Sequence, residues 1–253
     1  MQRLSILNRN LILLGLILAS ACVPNPSPVE TQTPFPPSPT PMPAPQTISF
    51  TTPDGATLEG TLYGSGETAV IFSVMGNCKR GWEETADGVA QNGMMAFTYQ
   101  WRDCSASGRV DEEELSRNFV NDARGAINFM RDQGAGRIIL AGASLGGLAS
   151  AKLAIESQAS GLIVFASPPE ISEWGFKIEA ADLNTEIPKL FLTSENDTVV
   201  PASSSHELYD LAAEPKEWQT YPGYAHGTDL FETENGEAVQ QRILEFILVV
   251  AKP

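Results

Sequence analysis

From about residue 69 onward, short apolar runs alternate with stretches of helical periodicity, and this alternation constrains the fold more than any single residue does. The runs are Ala69–Val74, Met94–Tyr99, Arg137–Gly142, Gly161–Ala166, Lys189–Thr193 and Glu217–Tyr221. Most are too short for buried helices and rich in β-branched or aromatic residues, so they read as strands. Helical patterns fill the gaps, at about 80–92, 112–133, 145–157, 202–213 and 236–250. In the last of these, Val239, Ile243, Phe246, Ile247 and Val250 form one apolar face, which packs on a sheet and does not cross a membrane. Ahead of the series, Ile48–Thr52 and Thr57–Tyr63 flank Pro53-Asp54-Gly55 and read as a hairpin with alternating faces. The pattern implies an α/β domain: an eight-stranded, mostly parallel sheet with helices on both faces. In such sheets, sites form beyond the C-terminal ends of the strands.

One strand end carries chemistry. Arg137–Ala141 runs into Gly142-Ala143-Ser144-Leu145-Gly146, and a helix-forming stretch follows, with Leu148, Ala151 and Ile155 along one face. A serine between two glycines at a strand-to-helix turn is the nucleophile-elbow arrangement. The turn strains the serine backbone, so its neighbours must be small. It lifts the hydroxyl clear of the sheet and leaves the Leu145 N–H at a helix N-terminus, where an oxyanion is stabilised.

The first residues have a different character. Arg3 and Arg9 precede a short apolar run, Leu11 to Ala19, that ends in small residues, which reads as a signal peptide over 1–21. Ala19-Ser20-Ala21-Cys22 resembles the bacterial lipoprotein signal, in which the cysteine is lipidated and becomes the mature N-terminus, although Ala19 stands where leucine is usual. The expectation is a protein outside the cytoplasm, anchored to a bacterial membrane through Cys22; the alternative is an ordinary secreted protein cleaved near Ala21. Proline, threonine and serine then dominate as far as Gln46. Such a stretch buries no core, favours polyproline II and reads as a tether of at most about 75 Å at ~3.1 Å per residue.

The remainder, 47–253, is the size of one domain with a large core. The whole chain carries a net charge of −15, which becomes −17 once Arg3 and Arg9 leave with the signal peptide. That surface repels phosphate backbones and argues against nucleic-acid binding. Of the three cysteines, setting Cys22 aside for lipid leaves Cys78 and Cys104, which lie in loops at the same end of the sheet. In an oxidising compartment they make a reasonable disulfide, with two buried thiols as the alternative.

Three segments together resemble the α/β-hydrolase superfamily across essentially all of 47–253: Gly142-Ala-Ser144-Leu-Gly146, Ser194-Glu-Asn-Asp197-Thr-Val-Val-Pro201 and Gly223-Tyr-Ala-His226-Gly227. They occur in the order serine, acid, histidine, each directly after an expected strand. The resemblance implies Ser144 as nucleophile, His226 as the base that takes and returns its proton, and Asp197 as the group orienting the histidine. Only two histidines are present, and His206 reads as a solvated residue on a surface helix. Glu170, after the preceding strand where some members place their acid, is the alternative to Asp197. Glu195 and Asp229 are the other nearby acids.

A second oxyanion donor comes, in the superfamily, from the loop after the third strand, often written His-Gly-x. Here that place reads Val74-Met75-Gly76-Asn77-Cys78, so the glycine matches, Met75 replaces the histidine, and Asn77 supplies the backbone donor. Trp101-Arg102-Asp103-Cys104 resembles the turn after the fourth strand, with Arg102 expected to pair locally with Asp103. Trp82, Trp101 and Trp174 either line the site or belong to the core. Ser167 to Pro188, where relatives insert a lid, is short and implies an open site. The resulting expectation is a serine hydrolase of small or medium carboxylic esters, working through an acyl-enzyme without metal or organic cofactor. A peptidase or acyltransferase using the same triad, and a surface-displayed binding protein without turnover, are the alternatives.

Overall fold

A computed structural model describes residues 43–78, 80–104 and 112–252. The signal peptide, Cys22 and nearly all of the tether lie outside the described residues.

The chain begins with an antiparallel hairpin, β1 (Gln46–Thr51) and β2 (Thr57–Gly64), whose alternating burial reflects one face on the core. Then come β3 (Thr68–Ser73), α1 (Glu83–Gln91), β4 (Met95–Tyr99), α2 (Glu112–Asp132), β5 (Arg137–Ala143), α3 (Leu145–Leu153) and β6 (Gly161–Phe165). A small excursion holds the two-residue strands β7 (Glu170–Ile171) and β8 (Phe176–Lys177). The chain closes with β9 (Lys189–Ser194), α4 (Ala202–Leu211), β10 (Lys216–Tyr221) and α5 (Gly236–Val250).

Eight strands form one sheet in the order β1-β2-β4-β3-β5-β6-β9-β10. β2 is antiparallel to β1 and β4, and every other pairing is parallel. The architecture is therefore the expected α/β one. β3, β4 and β6 are buried along their whole length, which is why their sequences are nearly continuous apolar runs. At the edge, β10 alternates and breaks its apolar pattern with Lys216, Glu217 and Gln219. α3 covers β5 and β6 from one side together with α2, while α5 packs on β6 and pairs with α1. Burying rings such as Phe72, Phe97 and Phe165 stabilises the sheet by roughly 1.5–3 kcal/mol each.

Two helices are markedly shorter than their periodicity predicts, and α2 and α4 stop at Asp132 and Leu211, just short of their expected ends. α1 starts at Glu83 with Trp82 as its N-cap, and Gly81 just before it is pressed against Thr228, where a Cβ would stand 2.7 Å from the threonine Cβ. α3 ends at Leu153, and the chain turns back through Gln158 at φ 53°. Trp82 and Trp101 are core residues: Trp82 stacks on Phe72, and Trp101 packs edge-on against Tyr99.

Arg102 departs from its expected local partner. Its Nε donates to Asp122 Oδ1 at 2.7 Å, and its two terminal nitrogens donate to the two oxygens of Asp54 at 2.8 Å each. Sequence pattern favoured Asp103 because it is adjacent, but the guanidinium points to acids on α2 and on the hairpin turn. Burial raises the Asp122 carboxyl, with Arg102 opposing the shift, while the arginine fork holds Asp54 well below the usual carboxylate range.

Candidate active site

β5 delivers its chain directly into α3, and Ser144 sits at the junction with φ 53° and ψ −118°. Those angles are unfavourable for a residue with a Cβ and cost about 1–3 kcal/mol. They persist because the surroundings leave room for nothing else. A Cβ on Gly142 would stand 2.1 Å from the Gly146 carbonyl oxygen, and one on Gly146 would stand 2.2 Å from that of Ser73. Gly147 is equally closed, since a Cβ there would lie 2.0 Å from Ser167 Oγ. That hydroxyl donates to the Ser144 carbonyl at 2.8 Å and pins the turn from the end of β6. The absence of three β-carbons thus lets β3, β5, the start of α3 and the end of β6 meet at one point.

The loops after β9 and β10 run side by side, joined by Glu195 N–H to Tyr221 O at 2.9 Å and Asn196 N–H to Gly223 O at 3.0 Å. Asp197 and His226 face each other across this junction. His226 Nδ1 lies 2.8 Å from Asp197 Oδ2 and 3.1 Å from Oδ1. With the carboxylate accepting, Nδ1 carries a proton and Nε2 is left facing away from the acid. The Asp197 side chain is fully buried, and its Oδ1 also accepts the N–H groups of Val199 and Val200 at 2.9 Å each. These bonds satisfy the buried carboxylate and fix its plane. Asp197 is not the cap of α4, whose N-cap is Pro201.

The other acids do not share this arrangement. Glu170, the alternative acid, is exposed and accepts Ser172 Oγ at 2.8 Å. Glu195 is exposed too. His206 sits on α4, hydrogen-bonded to Asp210 and half-exposed.

The residue after His226 packs beside Ala143, the residue before the serine. A Cβ on Gly227 would stand 3.4 Å from the Ala143 Cβ and 2.5 Å from Met75 sulfur. The buried thioether therefore packs between the β3 loop and the histidine loop, which accounts physically for methionine at this position. A Cβ on Gly76 would touch Leu145 at 3.4 Å, so the same loop lies against the first residue of α3. Cys78 N–H closes a turn onto Met75 O at 3.0 Å, and Cys78 is joined by a disulfide to Cys104.

No family model matches the chain. The uncharacterised protein YfhR of Escherichia coli strain K12 is 24% identical over 238 residues, covering 82% of each chain. Among solved structures, the esterase domain of a Rhodothermus marinus protein superposes with a TM-score of 0.62 at 15% identity, covering 80% of this chain and 97% of the other. An alpha-beta serine hydrolase homologue from Coxiella burnetii gives 0.60 at 18% identity, covering 82% and 97%. The chain has the α/β-hydrolase fold.

The loops that leave the C-terminal ends of the parallel strands β5, β9 and β10 carry Ser144, Asp197 and His226 in turn. Several supporting groups were invisible to motif reading. Ser167 has no signal beyond its place just after a strand. Ser194 Oγ donates to Ala225 O at 2.5 Å and ties the acid loop to the histidine loop. The Val199 and Val200 amides could have been found from the Asp-x-Val-Val order, because an aspartate commonly accepts the N–H two residues on. The excursion between β6 and β9 is a hairpin with two short 3₁₀ turns, packed through Trp174 and Phe176 on Phe119 of α2. Among the described residues, no group of three or more His, Cys, Asp or Glu side chains is placed to hold a metal ion.

Because the strain is local to Ser144, glycine there should relieve it. Ser144→Gly is expected to exceed Ser144→Ala in stability by about 1 kcal/mol in urea unfolding, after glycine's own entropic cost. Equal or lower stability for the glycine variant would show that the turn is unstrained.

Proposed function

We propose that the protein is a serine hydrolase that cleaves small or medium carboxylic esters through an acyl-enzyme. The observation that carries this reading is the buried Asp197–His226 pair, on a loop whose Gly227 lies against Ala143, next to a serine held in the strained elbow conformation. Ser144 Oγ attacks the ester carbonyl carbon while His226 Nε2 takes its proton. The carbonyl oxygen becomes an oxyanion and accepts the N–H groups of Leu145 and Asn77. Collapse re-forms the carbonyl and expels the alcohol, protonated by His226. Water then repeats the sequence on the acyl-serine, releasing the acid and restoring Ser144. Asp197 holds the histidine tautomer and stabilises the imidazolium in both halves. The short β6–β9 excursion supports small and medium esters over long-chain lipids. The solved relatives described as esterases favour ester over amide chemistry.

Asp197→Asn presents an amide to Nδ1 and favours the wrong tautomer. It should lower kcat on a p-nitrophenyl ester by roughly 10³–10⁴-fold. Ser144→Ala should abolish turnover above background, while Glu170→Gln should stay close to the unaltered protein. Loss of activity in Glu170→Gln with retention in Asp197→Asn would reverse the acid assignment. A faster rate on peptide amides than on esters would replace the esterase reading with a peptidase one.

We further propose that Cys22 is lipidated and tethers the domain outside the cytoplasm, as its basic-apolar-small leader and the Pro-rich segment after it support. In a bacterial host, Cys22→Ser should move the protein from the membrane pellet to the soluble fraction. An unchanged pellet fraction would contradict the anchor.

A further inference from the structure

The turn Met75–Cys78 carries the second oxyanion donor, and a four-residue turn presents a fixed N–H only if both its ends are held. Its first end is held by Trp101, whose indole N–H donates to Met75 O at 3.2 Å. Its last end is held by the disulfide from Cys78 to Cys104. Cys78 itself adopts φ 61°, uncommon for a residue with a Cβ, so an external hold is needed to keep it there.

Both holds come from a single short segment. Residues 101–104 form a 3₁₀ turn closed by Cys104 N–H to Trp101 O at 3.0 Å. Between the two contacts sits Arg102, whose backbone N–H and Nε donate to Asp122 Oδ2 and Oδ1 at 2.8 and 2.7 Å. The Asp122 side chain is wholly buried on α2. The arginine's other nitrogens grip Asp54 on the β1–β2 turn. The indole ring is wedged between Tyr99 and Phe119, with ring centres 5.2 and 6.2 Å away. The segment is therefore rooted in α2, in the hairpin and in the aromatic core, and none of these anchors belongs to the triad.

We propose that the turn 101–104 is a two-point clamp on the oxyanion-donating turn 75–78, with Trp101 as a positioning residue and the Cys78–Cys104 disulfide as its second point. The proposal rests on the serine-hydrolase reading and deepens it. An oxyanion donor accelerates the reaction only when it is already aimed at the place where negative charge develops. A misplacement of about 1 Å costs up to roughly 100-fold. The ground-state ester makes weaker use of the same donor, so releasing the clamp acts on kcat and leaves KM nearly unchanged. Because Met75 also packs on Gly227, its side chain anchors the turn from the histidine side, and the clamp supplies the opposite hold.

The test uses Trp101→Phe, which keeps the ring and removes the donor, and Cys78→Ser, Cys104→Ser and the double serine variant. Each is assayed on a p-nitrophenyl ester and with a trifluoromethyl ketone, whose serine adduct places an oxyanion in the hole. Active-site titration normalises rates to competent protein, so a variant that folds poorly is still measured per folded molecule. The clamp predicts a kcat lower by about 10- to 100-fold, a KM within about twofold, and a ketone inhibition constant that rises in step with the fall in kcat/KM. The double serine variant should be no worse than either single one, since all three lack the same bond. Normalised kcat within about twofold of the unaltered protein, or an unchanged ketone constant, overturns the clamp and leaves the hydrolase reading intact. If the unaltered protein turns over no ester above the Ser144→Ala background, the hydrolase reading itself fails.

Discussion

Ser144 is held at φ 53° and ψ −118° by neighbours that lack β-carbons, and the rest of the site is arranged around that turn. Gly142 and Gly146 let the chain fold back so closely that each approaches a backbone carbonyl at distances no side chain would allow. The consequence is directional. A serine in an ordinary helix N-cap turns its hydroxyl onto the helix's own amides, whereas here no side-chain cap bond forms. The strain costs about 1–3 kcal/mol, which a core of this size absorbs. It also places Leu145 at the start of α3, with its side chain against the loop of Gly76.

Around the elbow, two kinds of fixation work together. The acid and histidine loops are joined by backbone and side-chain hydrogen bonds that hold Asp197 and His226 face to face in a buried setting. The turn Met75–Cys78 is held by an indole and a disulfide from a segment whose arginine is rooted in a buried aspartate. Met75 links the two, with its carbonyl in one network and its sulfur against the residue after His226. This gives a physical role to the residue that departs most plainly from the superfamily's usual pattern.

Much of this was legible in the sequence, for identifiable reasons. The parallel strands are buried on both faces, so they are written as apolar runs that few other structures would use. The elbow was legible because steric exclusion demands glycine at fixed spacing around one serine. Helix ends are less legible: the periodicity runs to residue 157, yet α3 ends at Leu153 and the chain continues in turns. Arg102 was matched to its neighbour Asp103, whereas its partners are 20 and 48 residues away in sequence. Lys189 shows the same limit. It heads β9 as an ordinary lysine, yet it is buried, with its ammonium donating to the carbonyls of Thr185, Ile187 and Ala213. Local pattern records which face a residue presents, but not the distant group that meets it.

The proposed chemistry stands or falls on Ser144 as a nucleophile made reactive by His226 and Asp197. Incubating the folded protein with a fluorophosphonate probe and mapping the adduct by peptide mass spectrometry tests it most directly. A single phosphonyl adduct on Ser144 is expected, formed far more slowly in Asp197→Asn and absent after unfolding. No adduct on folded protein, or modification of a different serine, would contradict it.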